Sequence, residues 1–318
     1  MTTTPRIDVD SLQGAVRLTD WGVIRARGAD AASFLHNQLT QDTLQLDTHS
    51  ARLAGYCSAK GRLLASFVVW KAANDELLLA CSADVLPSAL KRLSMFVLRS
   101  KCKLSDASAE LALWGLAGRA ATEMLGADAP AQAWQRSDVQ GTPVIRLPDA
   151  TAGAARYLWA AGADNMTPLA SAMAPLSLDA WHWLEVTSGV VRIVAATAEK
   201  FVPQMVNLEL VGGVNFQKGC YPGQEIVARS QYRGTLKRRA LVFDLDAAAQ
   251  PGRDVFHSAD AAQPAGMVAN AASLDGAHRA LVEVKLAALN DGTLHLGAAD
   301  GPGLHRSDLP YALALDDA

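Results

Sequence analysis

The chain has 318 residues, half of them apolar, and a formal net charge of −3. That length buries a sizeable core and suggests two or three units, while the charge excludes a global basic field, so any nucleic acid must be held by a local patch. The N-terminal MTTTPRIDVD lacks a signal-peptide core and no run approaches the roughly 18 apolar residues of a membrane span, so a soluble cytoplasmic protein with no membrane partner is expected.

Residues 18–27, LTDWGVIRAR, alternate as a strand. Ala31, Phe34, Leu35 and Leu39 then follow at helical spacing, with Asp30 as the expected N-cap. Strands are predicted over 51–57, 63–71 and 76–80, with SAKGR at 58–62 as a hairpin connection. A helix over 83–96 and a short strand at 102–104 complete a mixed α+β unit built on an antiparallel sheet. A second unit of the same kind begins near residue 110. Its expected elements are a strand in ELALWGLAG, a helix after Gly118 and strands at 142–147 and 156–160. An Ala-rich helix before Ala174 and a helix over 178–188 follow. The repeated order hints at two related subdomains. After Gly234 the chain reads as five short strands, at 240–245, 253–256, 266–271, 279–284 and 293–296. Gly, Pro, Asp and Asn separate them, which suggests a small β-barrel. The tail DLPYALALDDA is either an edge strand or a frayed end. The expected domains are 1–109, 110–235 and 236–318.

Four cysteines, Cys57, Cys81, Cys102 and Cys220, include no C-x-x-C pair, and all are expected as reduced thiols. The richest chemistry lies in FVPQMVNLELVGGVNFQKGCYPGQEIVARSQYRGTLKRR, residues 201–239. Its glycines mark tight turns or a close backbone approach. Cys220 sits in a glycine-bounded turn, with Lys218 before it and Arg229 and Arg233 after it. Nearby cations and a helix starting at Gln224 would stabilise a thiolate; the alternative is a turn cysteine that only packs. Lys218, Arg229, Arg233, Lys237, Arg238 and Arg239 face a single acid, Glu225. They form either a solvated charged surface or an anion site for a folate tail or RNA phosphates. Tyr221 and Tyr232 are stacking rings or packing residues. Trp21 and Trp181 form an aromatic wall for a flat heterocycle or belong to the core, and Glu185 is a pterin partner or an exposed helix glutamate. The seven histidines show no metal-binding spacing, and there is no P-loop, Rossmann fingerprint or GxSxG elbow.

KGCYPGQE at 218–225, followed by Arg229 and Gly234, resembles the signature of the YgfZ-type folate-binding proteins. These are relatives of the aminomethyltransferase (T-protein) of the glycine cleavage system. The likeness includes FVPQMVNLELVGGVNF, LTDWGVI, and the segments at 38–42 and 58–62, so it spans most of residues 18–240. It implies an α+β fold: a ring of three subdomains, two with antiparallel sheets and one C-terminal β-barrel, with tetrahydrofolate or a derivative in the central opening. It implies support of iron–sulfur enzymes or assembly proteins, and through them an indirect link to tRNA. Cys220 matches the family's key thiol, with no fixed metal ligand and at most a transient iron–sulfur contact at that residue. Lys218 stands beside it, and Tyr221, Gln224 and Arg229 share the signature. Trp21 and Trp181 match positions associated with folate.

The transferases carry a Glu-Ala-Gly element whose glutamate holds the pterin. Here Thr187-Ser188-Gly189 stands in that place, and Glu185 is two residues away, about 200° around a helix. Asp42 is only the nearest counterpart of the transferases' catalytic aspartate. These departures favour an accessory factor over a turnover enzyme. The alternatives are a one-carbon (aminomethyl-type) transferase and a direct tRNA-binding module.

Overall fold

The computed structural model describes residues 6–151, 153–162, 173–232 and 236–313. A strand absent from the sequence pattern, β1 (Gly14–Arg17), opens the chain and pairs with the second sheet rather than the first. The first sheet holds β2 (Trp21–Arg27), β3 (Ala51–Cys57), β4 (Leu63–Ala73), β5 (Glu76–Ser82) and β6 (Lys103–Asp106). Its order is β3-β4-β5-β2-β6, and every pairing is antiparallel. The near-continuous apolar run of β4 reflects burial on both faces. Val68 and Trp70 point into one core, and Phe67 and Val69 into another.

That second core is covered by α1 (Ala31–His36) and α2 (Leu86–Met95), which contribute Leu35, Leu86 and Leu93. Asp30 does not cap α1 with its side chain. Its carboxylate instead accepts the backbone N–H of Lys101 at 2.7 Å, tying the helix entrance to the segment that leads into β6.

The second sheet has the order β1-β7-β10-β9-β8. It contains β7 (Leu111–Ala117), β8 (Arg136–Val139), β9 (Thr142–Leu147) and β10 (Arg156–Gly162), with α3 (Gly118–Leu125) on its outer face. Alternation again sorts β10: Leu158 and Ala160 face the first sheet, while Tyr157 and Trp159 face α3. The expected Ala-rich helix falls largely outside the described residues.

Between the two sheets and the barrel lies α4 (Leu178–Thr187). The Ser177 hydroxyl caps it, accepting the N–H of Ala180 at 3.1 Å. Trp181 and Leu184 enter the core between the sheets, and Trp183 and Val186 enter the core shared with the barrel. Gly115 makes room for this helix: a Cβ there would meet the Trp181 ring at 2.5 Å. A second short helix, α5 (Gln224–Tyr232), follows the cysteine segment.

The C-terminal strands are β11 (Arg238–Leu245), β12 (Asp254–His257), β13 (Gly266–Leu274), β14 (Ala277–Lys285), β15 (Leu294–Leu296) and β16 (Gly303–Ser307). They close a barrel in the order β11-β14-β13-β12-β15-β16. The sixth strand, β16, joins β15 to β11 and removes both edges. Leu241, Phe243, Val282 and Val284 fill its interior, while Ala240, Val242 and Leu281 pack outward against the rest of the protein. No described helix is long and apolar enough to cross a membrane.

Candidate functional site

Two sites emerge, a thiol loop and a central cleft. The loop is held by the QLTQD segment at 38–42. Thr40 Oγ1 donates to Gly213 O at 2.6 Å and accepts from Gly55 N at 2.7 Å. Gln41 Nε2 donates to Gly212 O at 2.8 Å, and Asn215 N donates to Thr40 O at 2.9 Å. The Lys218 ammonium then turns inward, donating to Leu39 O at 3.0 Å and to His36 O. Burial pushes its pKa down to about 8, against the opposing charges of Asp42 and Cys220. The Tyr221 ring lies 4.8 Å from this ammonium and is itself buried. Burial also pushes the Tyr221 phenol up.

Gly223 follows with φ +80°, and a Cβ there would meet Ser58 O at 2.3 Å. Only glycine lets the loop rest on the β3–β4 hairpin. Cys220 is therefore displayed by a well-anchored loop and is itself exposed, whereas Cys57 and Cys81 are buried. The His36 ring faces Gly219, the residue before Cys220, and His36 Nδ1 lies 3.0 Å from Asp42 Oδ1, which also accepts from Leu44 N and Gln45 N. Among the described residues no group of three or more His, Cys, Asp or Glu side chains is placed to hold a metal.

The cleft is a narrow one of about 40 Å³ between the two sheets and the end of α4. Its walls include Trp21, Ser66, Trp134, Arg156, Glu185 and Arg192. Arg192 is the hub. It binds Asp20 at 2.6 Å, Glu185 at 3.2 Å and Ser82 Oγ at 3.0 Å, and it lies 5.0 Å from the centre of the Trp21 ring. Its backbone is clasped by Asn270 of the barrel, which accepts from Arg192 N at 3.0 Å and donates to Arg192 O at 2.8 Å. His182 Nε2 also meets Asp20, at 3.0 Å. Burial opposes the Asp20 charge, but the His182 hydrogen bond and Arg192 outweigh it and hold the carboxyl well below its usual range. Burial likewise opposes the His182 cation, yet the Asp20 bond and the nearby acidic charges raise its pKa overall.

Arg156 is 3% exposed. Its Nε and Nη2 both donate to Pro148 O, at 3.1 and 2.9 Å. Burial lowers its pKa to about 10 despite the charges of Glu185 and Asp149. A guanidinium has five N–H donors, so most of this one's hydrogen-bonding capacity is unspent. Trp21 Nε1 and Arg192 Nε are also buried and find no acceptor among the described residues. All three residues line the cleft.

The site residues expected from the sequence divide between these places. Trp21 lines the cleft. Trp181 does not: it is fully buried behind the wall, with Arg156 5.5 Å from the centre of its ring, because Gly115 opens the core to its indole. Glu185, expected to point away, reaches the cleft wall, where its carboxylate is tied to Arg192. Lys218 and Tyr221 are anchors within the loop, and Gln224 and Arg229 stand on α5, Arg229 exposed. Cys220 lines neither the cleft nor the crevice on the other side of Arg192, walled by Asp20, Asp84, His182 and Asn270, so the loop is not a cleft wall. The basic stretch is also divided. Arg238 is paired with Glu283 and Arg239 with Glu209, Lys218 is buried, and Arg233 lies outside the described residues. Arg156, Arg192 and His36 were not singled out in the sequence. The available signal for the two arginines was a cation inside an apolar run.

The architecture is that of aminomethyltransferase T. The structure matches the glycine cleavage system aminomethyltransferase T of Bartonella henselae with a TM-score of 0.73, over 96% of this chain and 90% of that one, at 16% identity. No family model matches the sequence. Curated relatives do. The tRNA-modifying protein YgfZ of Edwardsiella ictaluri is 36% identical over 248 residues, 71% of this chain and 69% of the relative. The tRNA-modifying protein YgfZ of Sodalis glossinidius is 30% identical over 313 residues, 94% of this chain and 93% of the relative. The chain belongs to the family of the tRNA-modifying protein YgfZ.

Proposed function

We propose that the protein is a folate-binding accessory factor that supports iron–sulfur enzymes and, through them, tRNA modification. In this reading a reduced folate occupies the central cleft and Cys220 is the working thiol. The carrying observation is the pair of buried donors without a partner among the described residues, Trp21 Nε1 and Arg192 Nε, beside the Arg156 guanidinium, whose Nε and Nη2 share one acceptor. Buried donors are costly to leave unpaired. A pterin fits them, being flat and bearing ring nitrogens and a carbonyl oxygen in one plane as acceptors. When bound, a reduced folate supplies a carrier for a one-carbon unit. Arg156 and Trp21 orient the heterocycle, while Glu185 is held by Arg192 and positions that guanidinium. Ser188 also lines the cleft, where the transferases carry part of their Glu-Ala-Gly element.

The exposure of Cys220 outside the cleft favours a thiol that acts on a group brought by a partner protein, such as an iron–sulfur species. It gives less support to one-carbon transfer within the cleft. The pairing of Arg238 and Arg239 likewise gives little support to direct tRNA binding through the 229–239 stretch.

Tetrahydrofolate titration and complementation of an iron–sulfur-dependent activity test the two halves. Trp21→Ala should weaken folate binding about tenfold or more, roughly 1.4 kcal/mol. Cys220→Ser should bind folate as wild type does and fail to complement. Unchanged affinity in Trp21→Ala would move the folate elsewhere, and full complementation by Cys220→Ser would rule out the thiol.

A further inference from the structure

The loop that displays Cys220 has a neighbour that the signature does not supply. His36 ends α1, and its ring lies against the thiol loop: a Cβ placed on Gly219, the residue before Cys220, would sit 3.4 Å from His36 Nε2 and 3.9 Å from Cδ2. The opposite ring nitrogen, Nδ1, is 3.0 Å from Asp42 Oδ1. Asp42 is itself fixed by the N–H groups of Leu44 and Gln45, at 2.8 and 3.2 Å. Burial disfavours its charge, but those two backbone bonds and His36 outweigh this and keep the carboxyl below its ordinary range. An ionised Asp42 accepts the Nδ1 proton, so the neutral ring carries its lone pair on Nε2, the nitrogen turned toward the loop. The backbone carbonyl of His36 is held in turn by Lys218, two residues before Cys220. The charged group on the imidazole itself is Asp42; Lys218 holds the His36 backbone, and Cys220 follows the glycine that the ring faces. A base and its orienting carboxylate thus adjoin the loop that carries the nucleophile, the parts that activated thiols use.

We propose that His36 is the proton acceptor of Cys220, oriented by Asp42. The thiol proton passes to His36 Nε2, leaving a thiolate beside an imidazolium whose charge Asp42 balances. No oxidant or further reactant is needed for this step. The inference rests on the reading of Cys220 as the working thiol and adds two residues to it. Nothing in the spacing of the sequence joins them, since the helix and the loop are brought together in space by the bonds to residues 36–41.

The test is the rate of Cys220 alkylation by iodoacetamide, read by mass spectrometry of its peptide across a pH series. A free thiol of ordinary pKa is only about 1% thiolate near pH 6.5. Wild type should react about tenfold faster there than His36→Gln, and Asp42→Asn should fall in the same direction, because it retains the hydrogen bonds but loses the charge. The rates should converge above about pH 9.5, where any thiol is ionised. Matching circular dichroism and unfolding midpoints separate this effect from loss of fold. A rate at pH 6.5 within about twofold of wild type in folded His36→Gln would overturn the proposal. Complementation by Cys220→Ser is a separate result: success there removes the working thiol itself, whereas failure there with an unchanged His36→Gln alkylation rate removes only the base.

Discussion

Replacing Arg192 with Met should destabilise the protein substantially without altering its backbone clasp to the barrel. The side chain is 13% exposed and joins two parts of the fold: Asp20, Ser82 and the Trp21 ring of the first unit, and Glu185 of α4. Methionine fills much of the same volume and leaves the Asn270 bonds to the backbone intact. It leaves Glu185, only 14% exposed, without its cation at 3.2 Å. Removing one partner of a buried ion pair costs about 3–5 kcal/mol. Asp20 is 32% exposed and keeps His182, which trims the loss to about 2–4 kcal/mol. Urea unfolding followed by tryptophan fluorescence reads the change as a midpoint shift at constant slope. Glu185→Gln in the Arg192→Met background should recover part of it, because it removes the stranded charge. A single variant within about 1 kcal/mol of wild type, or a double variant less stable than the single one, would refute the reasoning.

Gly223→Ala should release the thiol loop from the β3–β4 hairpin, because φ is +80° and the new Cβ would meet Ser58 O at 2.3 Å; limited proteolysis should cut near 219–223 in the variant and not in wild type. The raised His182 pKa gives stability that is complete below about pH 6.5, its ordinary value, and is lost as the pH rises through the folded value. Unfolding midpoints of wild type should therefore fall relative to His182→Gln between neutral and mildly alkaline pH, and parallel curves would contradict this. Native labelling by a bulky thiol reagent should modify Cys220 rapidly and spare the others, since burial pushes Cys57 and Cys81 up to about 12 and Cys102 up to about 11. Rapid loss of a second thiol in the folded protein would count against this account of the core.

The strands of the first sheet were legible because each face of β4 and β5 has its own apolar partner, so alternation and composition agree. In the barrel, β16 escaped because only Leu304 among GLHRS is buried. β1 escaped because four residues, GAVR, carry too short a pattern. The thiol loop was legible for a local reason, its run of glycines around Lys218 and Cys220. The cleft was not. Trp21, Arg156 and Arg192 come from separate strands and a loop, and their meeting depends on Trp181 entering the space that Gly115 leaves open. The residues leave Trp181 open between an aromatic wall and the core, and the resemblance associates it with folate; its indole is fully buried. His36 was one scattered histidine until α1 was seen to carry it beneath residue 219.

The most direct test of the central claim is a crystal structure of the protein with tetrahydrofolate. The pterin should lie in the cleft beside Trp21, with acceptor atoms within hydrogen-bonding distance of Trp21 Nε1 and the Arg156 guanidinium, and with Cys220 outside the ligand's contacts. A pterin bound in another cavity, or a cleft left empty at saturating ligand, would contradict it.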